Sequence, residues 1–159
     1  MSSYIEKVEK MELPVLVLSD SVVFPSTTLG LDVSNSRNAE TATSAAKDGR
    51  MVLVVSTTEP LNLEQDNLDI SRLYRVGVVS RIKQSIRTSV GKTKILVEGV
   101  IRASVLSYQK GKDTLYAEVV CKKVSLPDSG DIKAEAYRRK LLDILNNTIR
   151  LLPDRKSVV

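Results

Sequence analysis

The chain has 159 residues, with 24 Lys/Arg against 19 Asp/Glu, a net charge of +5, and 42% hydrophobic residues. That length argues for one domain with an appended element, able to bury a core without metal or disulfide help, and the balance argues against wholesale disorder. Histidine is absent, which removes the Ser-His-Asp triad, the Cys-His pair and every histidine metal site, and the single cysteine, Cys121, excludes an intramolecular disulfide and fits a reducing compartment.

Residues 1–10 are polar and charged, with no apolar core of a signal peptide, and read as a flexible N-terminus. Leu13 to Leu18 (LPVLVL) reads as a first strand, apolar enough to be buried on both faces. Ser19-Asp20-Ser21 breaks it, and Pro25 biases Phe24 toward an extended backbone. Thr27 to Val33 resumes as a strand with Leu29, Leu31 and Val33 on one face. Ser34-Asn35-Ser36 offers N-cap residues for an alanine-rich helix over Ser36 to Lys47, closed by Asp48-Gly49. Met51 to Ser56 (MVLVVS) reads as a buried strand, and Thr57 to Ile70 as a polar surface loop.

Leu73 to Thr88 is the longest strand expected. Its alternation slips near Val79-Ser80, which points to a bulge, and Gly77 points to a close backbone approach. Ser89-Val90-Gly91-Lys92 reads as a hairpin turn, followed by a strand Thr93 to Val97, a break at Glu98-Gly99 and another strand Val100 to Tyr108. Lys110 to Asp113 reads as a second turn before a last strand, Leu115 to Val124, in which Cys121 reads as a buried structural thiol rather than a reactive one. Pro127 to Gly130 is a linker by its turn chemistry. From Asp131 to Leu152 the period becomes helical, with Leu141, Leu145, Thr148 and Leu152 as an apolar stripe that Ile144 and Ile149 widen. That stripe has little of its own domain left to cover it, so the chain is expected to be a piece of a longer protein. No apolar run approaches the roughly 20 residues that span a bilayer, so no membrane partner is expected.

Charge is unevenly spread. Residues 1–71 hold 5 Lys/Arg against 11 Asp/Glu, whereas residues 72–123 hold 12 against 3. The middle block places Arg75, Arg81, Lys83, Arg87, Lys92 and Lys94 on two strands joined by one hairpin, a candidate stripe for DNA, RNA or polyphosphate. The competing reading is strands that show their basic side chains to solvent, and scarce aromatics argue against stacked bases. Gly91-Lys92-Thr93 lacks the upstream glycine of a nucleotide loop and sits in a hairpin, so no nucleotide site is expected.

LPVLVLSDSVVFP (13–25), LYRVGVVSRIKQ (73–84) and KTKILVEGVIRASV (92–105) form an ordered set of motifs. Together they resemble the amino-terminal domain of the Lon family of ATP-dependent proteases, over about residues 11–124. The first matches an apolar strand, a charged turn and a V-V-(F/Y)-P element. The second matches an (L/Y)-x-V-G strand, and the third a K-V-L-V-E-G-x-x-R-A strand. The stretch Ser26 to Thr28, the helix Ser36 to Asp48 and the loop 57–70 depart from the pattern.

The resemblance implies a mainly β, pseudouridine-synthase-and-archaeosine-transglycosylase-like (PUA-like) domain over residues 11–124, a small curled sheet or partly open barrel with one inserted helix. A linker over 125–130 and the start of a helical bundle over 131–159 follow. It implies a non-catalytic domain of a bacterial cytoplasmic protease that binds unfolded or degron-bearing proteins and supports hexamer assembly. ATP, Mg²⁺ and a Ser–Lys protease pair would then belong to other domains, leaving this chain without a cofactor. Val22, Val23, Phe24 and Pro25 are the candidate substrate contacts, since a turn that exposes apolar surface suits unfolded chains. The alternative is that Asp20 caps a turn, Phe24 fills the core and Pro25 fixes the chain. Gly77, Glu98, Gly99 and Arg102 are the structural signature, with Gly99 allowing a tight bend and Glu98 pairing with Arg102 across the sheet.

Overall fold

The computed structural model describes residues 10–63, 68–88, 91–121 and 130–152. The chain divides into two compact units, residues 1–123 and 124–159.

The first unit is a curled six-stranded sheet. Its strands are β1 (Lys10–Leu18), β2 (Thr28–Val33), β3 (Met51–Ser56), β4 (Val76–Arg87), β5 (Thr93–Lys110) and β6 (Leu115–Cys121), and helix α1 (Ser36–Asp48) lies between β2 and β3. The order across the sheet is β2-β5-β4-β3-β1-β6, and the curl brings β6 back to pair with β5 as well. Only β1 and β3 are parallel, joined through β2 and α1.

Two cores follow from period-2 alternation in strands with both faces covered. Leu13, Val15, Val17, Leu53, Val55 and Val79 point into the curl, with Ala103, Leu115, Ala117 and Val119. Leu16, Leu18, Val52, Val54, Val78 and Ile82 point the other way, onto Ala42 and Ala45 of α1. The alanines sit where the helix approaches the sheet. Asn35 caps α1 by accepting from the Asn38 N–H at 2.8 Å, and Gly49 closes it at φ 65°, a left-handed value that glycine adopts without strain.

The structure differs from the strand expectations in four places. Residues 93–110 form one 18-residue strand rather than two, because Gly99-Val100 bends it without breaking its ladder. Its first half pairs with β2 and its second with β6, while β4 pairs with it from Thr93 to Ser104. β4 begins at Val76, and Leu73 is instead buried beside a 3-10 turn, Ile70–Arg72, bridged to Thr57. Val76 and Ile86, apolar residues within the expected strand Leu73 to Thr88, are exposed. The segment after β3 is more than a surface loop, since Thr57 and Leu68 are buried.

The slip at Val79-Ser80 is a bulge whose extra residue, Val100, lies on β5; further bulges carry Lys83 and Leu106. All three extra side chains are exposed, so the bulges bend the sheet while sparing the cores. Gly77 makes the close approach expected of it, since a Cβ there would lie 2.7 Å from the Val54 carbonyl oxygen. Of the N-terminus expected to be flexible over 1–10, Lys10 instead begins β1 and residues 1–9 lie outside the described residues, as do part of the first hairpin turn (Ser89 and Val90) and the linker residues 125–129.

The second unit holds α2 (Ile132–Leu151), capped by Asp131, whose carboxylate accepts from the Lys133 and Ala134 N–H groups. No residue of α2 is buried, so its Leu141, Ile144 and Leu145 stripe is open. Among the described residues no helix is long and apolar enough to cross a membrane.

One polar group closes a gap in the first unit. Beyond Pro14, β1 has β3 on one side and, among the described residues, no strand on the other. The buried Asn38 side chain stands in for that strand: it donates to the Val17 carbonyl at 2.6 Å and accepts from the Val17 N–H at 3.2 Å. Replacing it strips both partners from a buried peptide group. Asn38→Ala is expected to lower unfolding free energy by about 2–3 kcal/mol, measured by urea denaturation; a loss under about 0.5 kcal/mol would show that the pair contributes little.

Candidate functional site

The Val22–Pro25 segment and the Glu98-Gly99 pair, far apart in sequence, form one site. Val23 is buried in the second core, whereas Val22 and Phe24 are 57% and 64% exposed. Phe24 therefore does not fill the core; the strand-like alternation turns it outward while Val23 anchors the segment.

The local geometry explains why Phe24 stays outward. Pro25 fixes one central position of a turn, and Ser26 takes the next at φ 61°, the only positive φ outside glycine among the described residues. The Thr27 N–H and hydroxyl both donate to the Phe24 carbonyl, at 3.3 and 2.7 Å. Pro followed by a left-handed residue is the pattern of a type II turn, which favours glycine at the second place. Ser26 and Thr27 then sit opposite Gly99 as a two-on-one bulge. The Ser26 N–H donates to the Gly99 carbonyl and the Gly99 N–H to the Thr27 carbonyl, each at 2.9 Å. The turn lies so close on β5 that a Cβ on Gly99 would overlap the Phe24 carbonyl oxygen and approach its carbon at 2.9 Å and Val23 Cγ1 at 3.1 Å. Asp20 accepts from the Ser21 hydroxyl at 3.2 Å, in an exposed position.

Glu98 does not pair with Arg102. Both lie on β5, and Glu98 instead meets Lys83 at 3.0 Å and Arg81 at 3.9 Å on the neighbouring β4, because cross-strand neighbours sit closer than residues along one strand.

The six candidate anion contacts divide. Lys94 reaches Asp32 at 3.8 Å, and Arg81 and Lys83 share Glu98. Arg75 lies apart from these, stacked 5.9 Å over the Tyr108 ring and donating to the Leu106 carbonyl. Arg87 and Lys92 sit at the end of the β4–β5 hairpin, where the Thr88 N–H donates to the Lys92 carbonyl. Gly91 to Thr93 thus belongs to a strand-to-strand turn and not to a strand-to-helix phosphate loop. Cys121 is half-buried against the first core.

A family model described as the substrate-binding domain of ATP-dependent protease La (LON) matches residues 12–158. The chain belongs to the Lon substrate-binding domain family. Its similar relatives include Lon protease from Brevibacillus choshinensis, 30% identical over 146 residues, and Lon protease from Azorhizobium caulinodans, 34% identical over 140. The alignments cover 92% and 87% of this chain but only 18% and 16% of those proteins. The catalytic protease domain of Lon is not part of this domain. Two solved structures share the fold. A Lon N-terminal domain protein from Xanthomonas campestris aligns with a TM-score of 0.56 at 20% identity, covering 83% of this chain and 74% of that one. The N-terminal domain of a Mycobacterium avium complex Lon protease aligns at 0.54 and 22%, covering 90% and 77%.

What sequence reasoning missed in this Lon domain is the role of Ser26, a residue seen only as a departure from the family pattern. A glycine-favouring place straight after Pro25 was the available signal. The left-handed conformation costs a non-glycine residue about 1–2 kcal/mol, against about 0.5–1 kcal/mol of extra backbone entropy for glycine. Ser26→Gly is therefore expected to stabilise the chain by roughly 0.5 kcal/mol. Gly99→Ala should destabilise it by about 3 kcal/mol or more. Denaturant midpoints measure both, and a stabilising Gly99→Ala would refute the close approach.

A pH effect follows from Tyr108. Burial raises its phenol from the usual 10 to about 12, against the opposing pull of Arg75, and its hydroxyl donates to the Tyr74 carbonyl at 2.6 Å. A raised folded value favours the neutral form in the fold. That contribution is whole below pH 10 and is lost as pH rises toward 12. Absorbance titration of the tyrosinates should show one late-ionising group, absent in Tyr108→Phe, and the stability difference between the two proteins should shrink over the same window.

Proposed function

We propose that this Lon substrate-binding domain captures unfolded or degron-bearing proteins at the Val22–Phe24 surface and so delivers them to ATP-dependent degradation by a full-length protease. The observation that carries the reading is an exposed aromatic side chain on a turn whose backbone is fixed by Pro25, the left-handed Ser26 and the contact with Gly99. An exposed Phe on a mobile loop could bury itself; here the turn is tied to β5 at Gly99. A preordered apolar group loses little entropy on binding, and extended apolar segments are what unfolded proteins present.

In this reading residues 11–124 are the recognition domain, 125–130 a linker and 131–159 the start of a helical region. The open stripe of α2 supports a role in packing or hexamer assembly, since an apolar helix face exposed over several turns gains by burial. ATP and Mg²⁺ would be held elsewhere in a cytoplasmic enzyme, as Gly91 to Thr93 offers no phosphate loop. A polyanion partner draws less support, because Glu98 and Asp32 take Arg81, Lys83 and Lys94 among the six candidate cations.

Phe24→Ala is expected to weaken binding of a reduced, carboxymethylated protein about tenfold, on the order of 1–2 kcal/mol, with the thermal midpoint nearly unchanged because the side chain is outside the core. Binding should vary little with salt. Unaltered affinity in Phe24→Ala would remove the reading, and a steep fall with salt would transfer support to the polyanion partner.

A further inference from the structure

The strand that follows the Phe24 turn is an open edge. β2 is terminal in the sheet and pairs with β5 alone. Gly99 turns its N–H and C=O toward the Ser26–Thr27 bulge. The alternation of an antiparallel ladder then turns Val97, Ile95 and Thr93 of β5 the same way, where they meet Leu29, Leu31 and Val33. Thr28, Gly30 and Asp32 must therefore direct their peptide groups away from β5. All three residues are exposed, space is open where a Gly30 side chain would stand, and among the described residues no second strand lies against β2.

At its far end the edge borders a cleft of about 340 Å³ between β2 and the end of β1, lined among others by Leu18, Asp20, Asp32, Val33, Leu61 and Leu63. Here the edge is acidic and apolar. The ion pair of Asp32 with Lys94 leaves both side chains about two-thirds exposed. The cleft lies in the acidic part of the chain, residues 1–71, which holds 11 Asp/Glu against 5 Lys/Arg.

We propose that β2 accepts an extended segment of substrate polypeptide as an added strand, with an apolar side chain against Phe24 and a lysine or arginine toward Asp20 and Asp32. The inference rests on the substrate-capture reading above and adds how the segment is held. Backbone N–H and C=O groups exposed at alternate residues are complementary to another extended backbone whatever its sequence, which suits a receptor for many unfolded chains. Pockets at the two ends then select side chains. Thr28 to Asp32 spans about 13 Å, so the apolar and basic residues should stand roughly four apart.

The test uses the 159-residue chain and a synthetic unstructured peptide bearing one leucine and, roughly four residues on, one lysine. Residue-resolved amide exchange is expected to show protection gained at Thr28, Gly30 and Asp32 on peptide addition, with Leu29 and Leu31 unchanged. N-methylating the peptide backbone at alternate positions should weaken binding about fivefold to tenfold in one phase and leave the other phase unaffected. Gly30→Pro, which removes the central outward donor, should weaken binding by a similar factor; should that variant fail to fold, the N-methyl series on the unaltered chain decides. Peptide binding that is lost in Phe24→Ala but indifferent to N-methylation overturns strand addition and leaves substrate capture standing. No binding at all overturns both. Protection of the same three amides without peptide, accompanied by dimers in sedimentation, assigns the edge to a second copy and overturns the peptide.

Discussion

The close approach of the Phe24 peptide to Gly99 is the constraint from which the site follows. Only a residue without a side chain lets the turn lie on β5, and the two hydrogen bonds between Gly99 and Ser26–Thr27 hold it there. The contact sets where β2 starts and in which register it joins β5. It also sits at the bend where β5 passes from pairing with β2 to pairing with β6. One glycine thereby couples the curl of the sheet, the display of Phe24 and the placement of an open edge beside it.

The polar interactions divide by depth. Buried ones are few: Asn38 closes the free side of β1, and its loss would leave the Val17 peptide group without those partners, whereas the buried Thr41 hydroxyl has no hydrogen-bond partner among the described residues. The ion pairs lie at the surface, where each contributes little and salt weakens it. Their effect is to spend basic charge on local partners, so that the net positive charge of residues 72–123 does not become one uncompensated stripe. Charge counted along the chain and charge arranged in space differ because cross-strand neighbours, not sequence neighbours, set the field.

For a receptor of unfolded chains this arrangement is physically coherent. The rigid framework carries a small apolar group and a row of backbone groups on one side, so ordering costs fall on the incoming segment and not on the domain. Stability resides in two cores that share β1 and β3 as a common wall, with the exposed site attached at their margin. Phe24 stands outside both cores, whereas a side chain on Gly99 would collide with the turn that carries it.

Sequence by itself determined the elements whose reasons are local. Continuous apolar runs marked β1 and β3 as buried on both faces, the Asn35 and Gly49 caps bounded α1, a slip in alternation marked the bulge at Val79-Ser80, and the change of period marked α2. The lack of histidine removed the histidine-based catalytic and metal sites, and three ordered motifs were enough to point to the family. Tertiary structure alone decided what depends on contacts between distant residues. Glu98-Gly99 looked like a break because its ladder partners lie in other strands, and Phe24 could be core or surface until the turn was seen against β5. Arg102 was matched to Glu98 from sequence, though the nearer cations lie on β4. A strand's alternation says which residues share a face; which face meets a core, and which edge remains open, is set only when the other strands arrive.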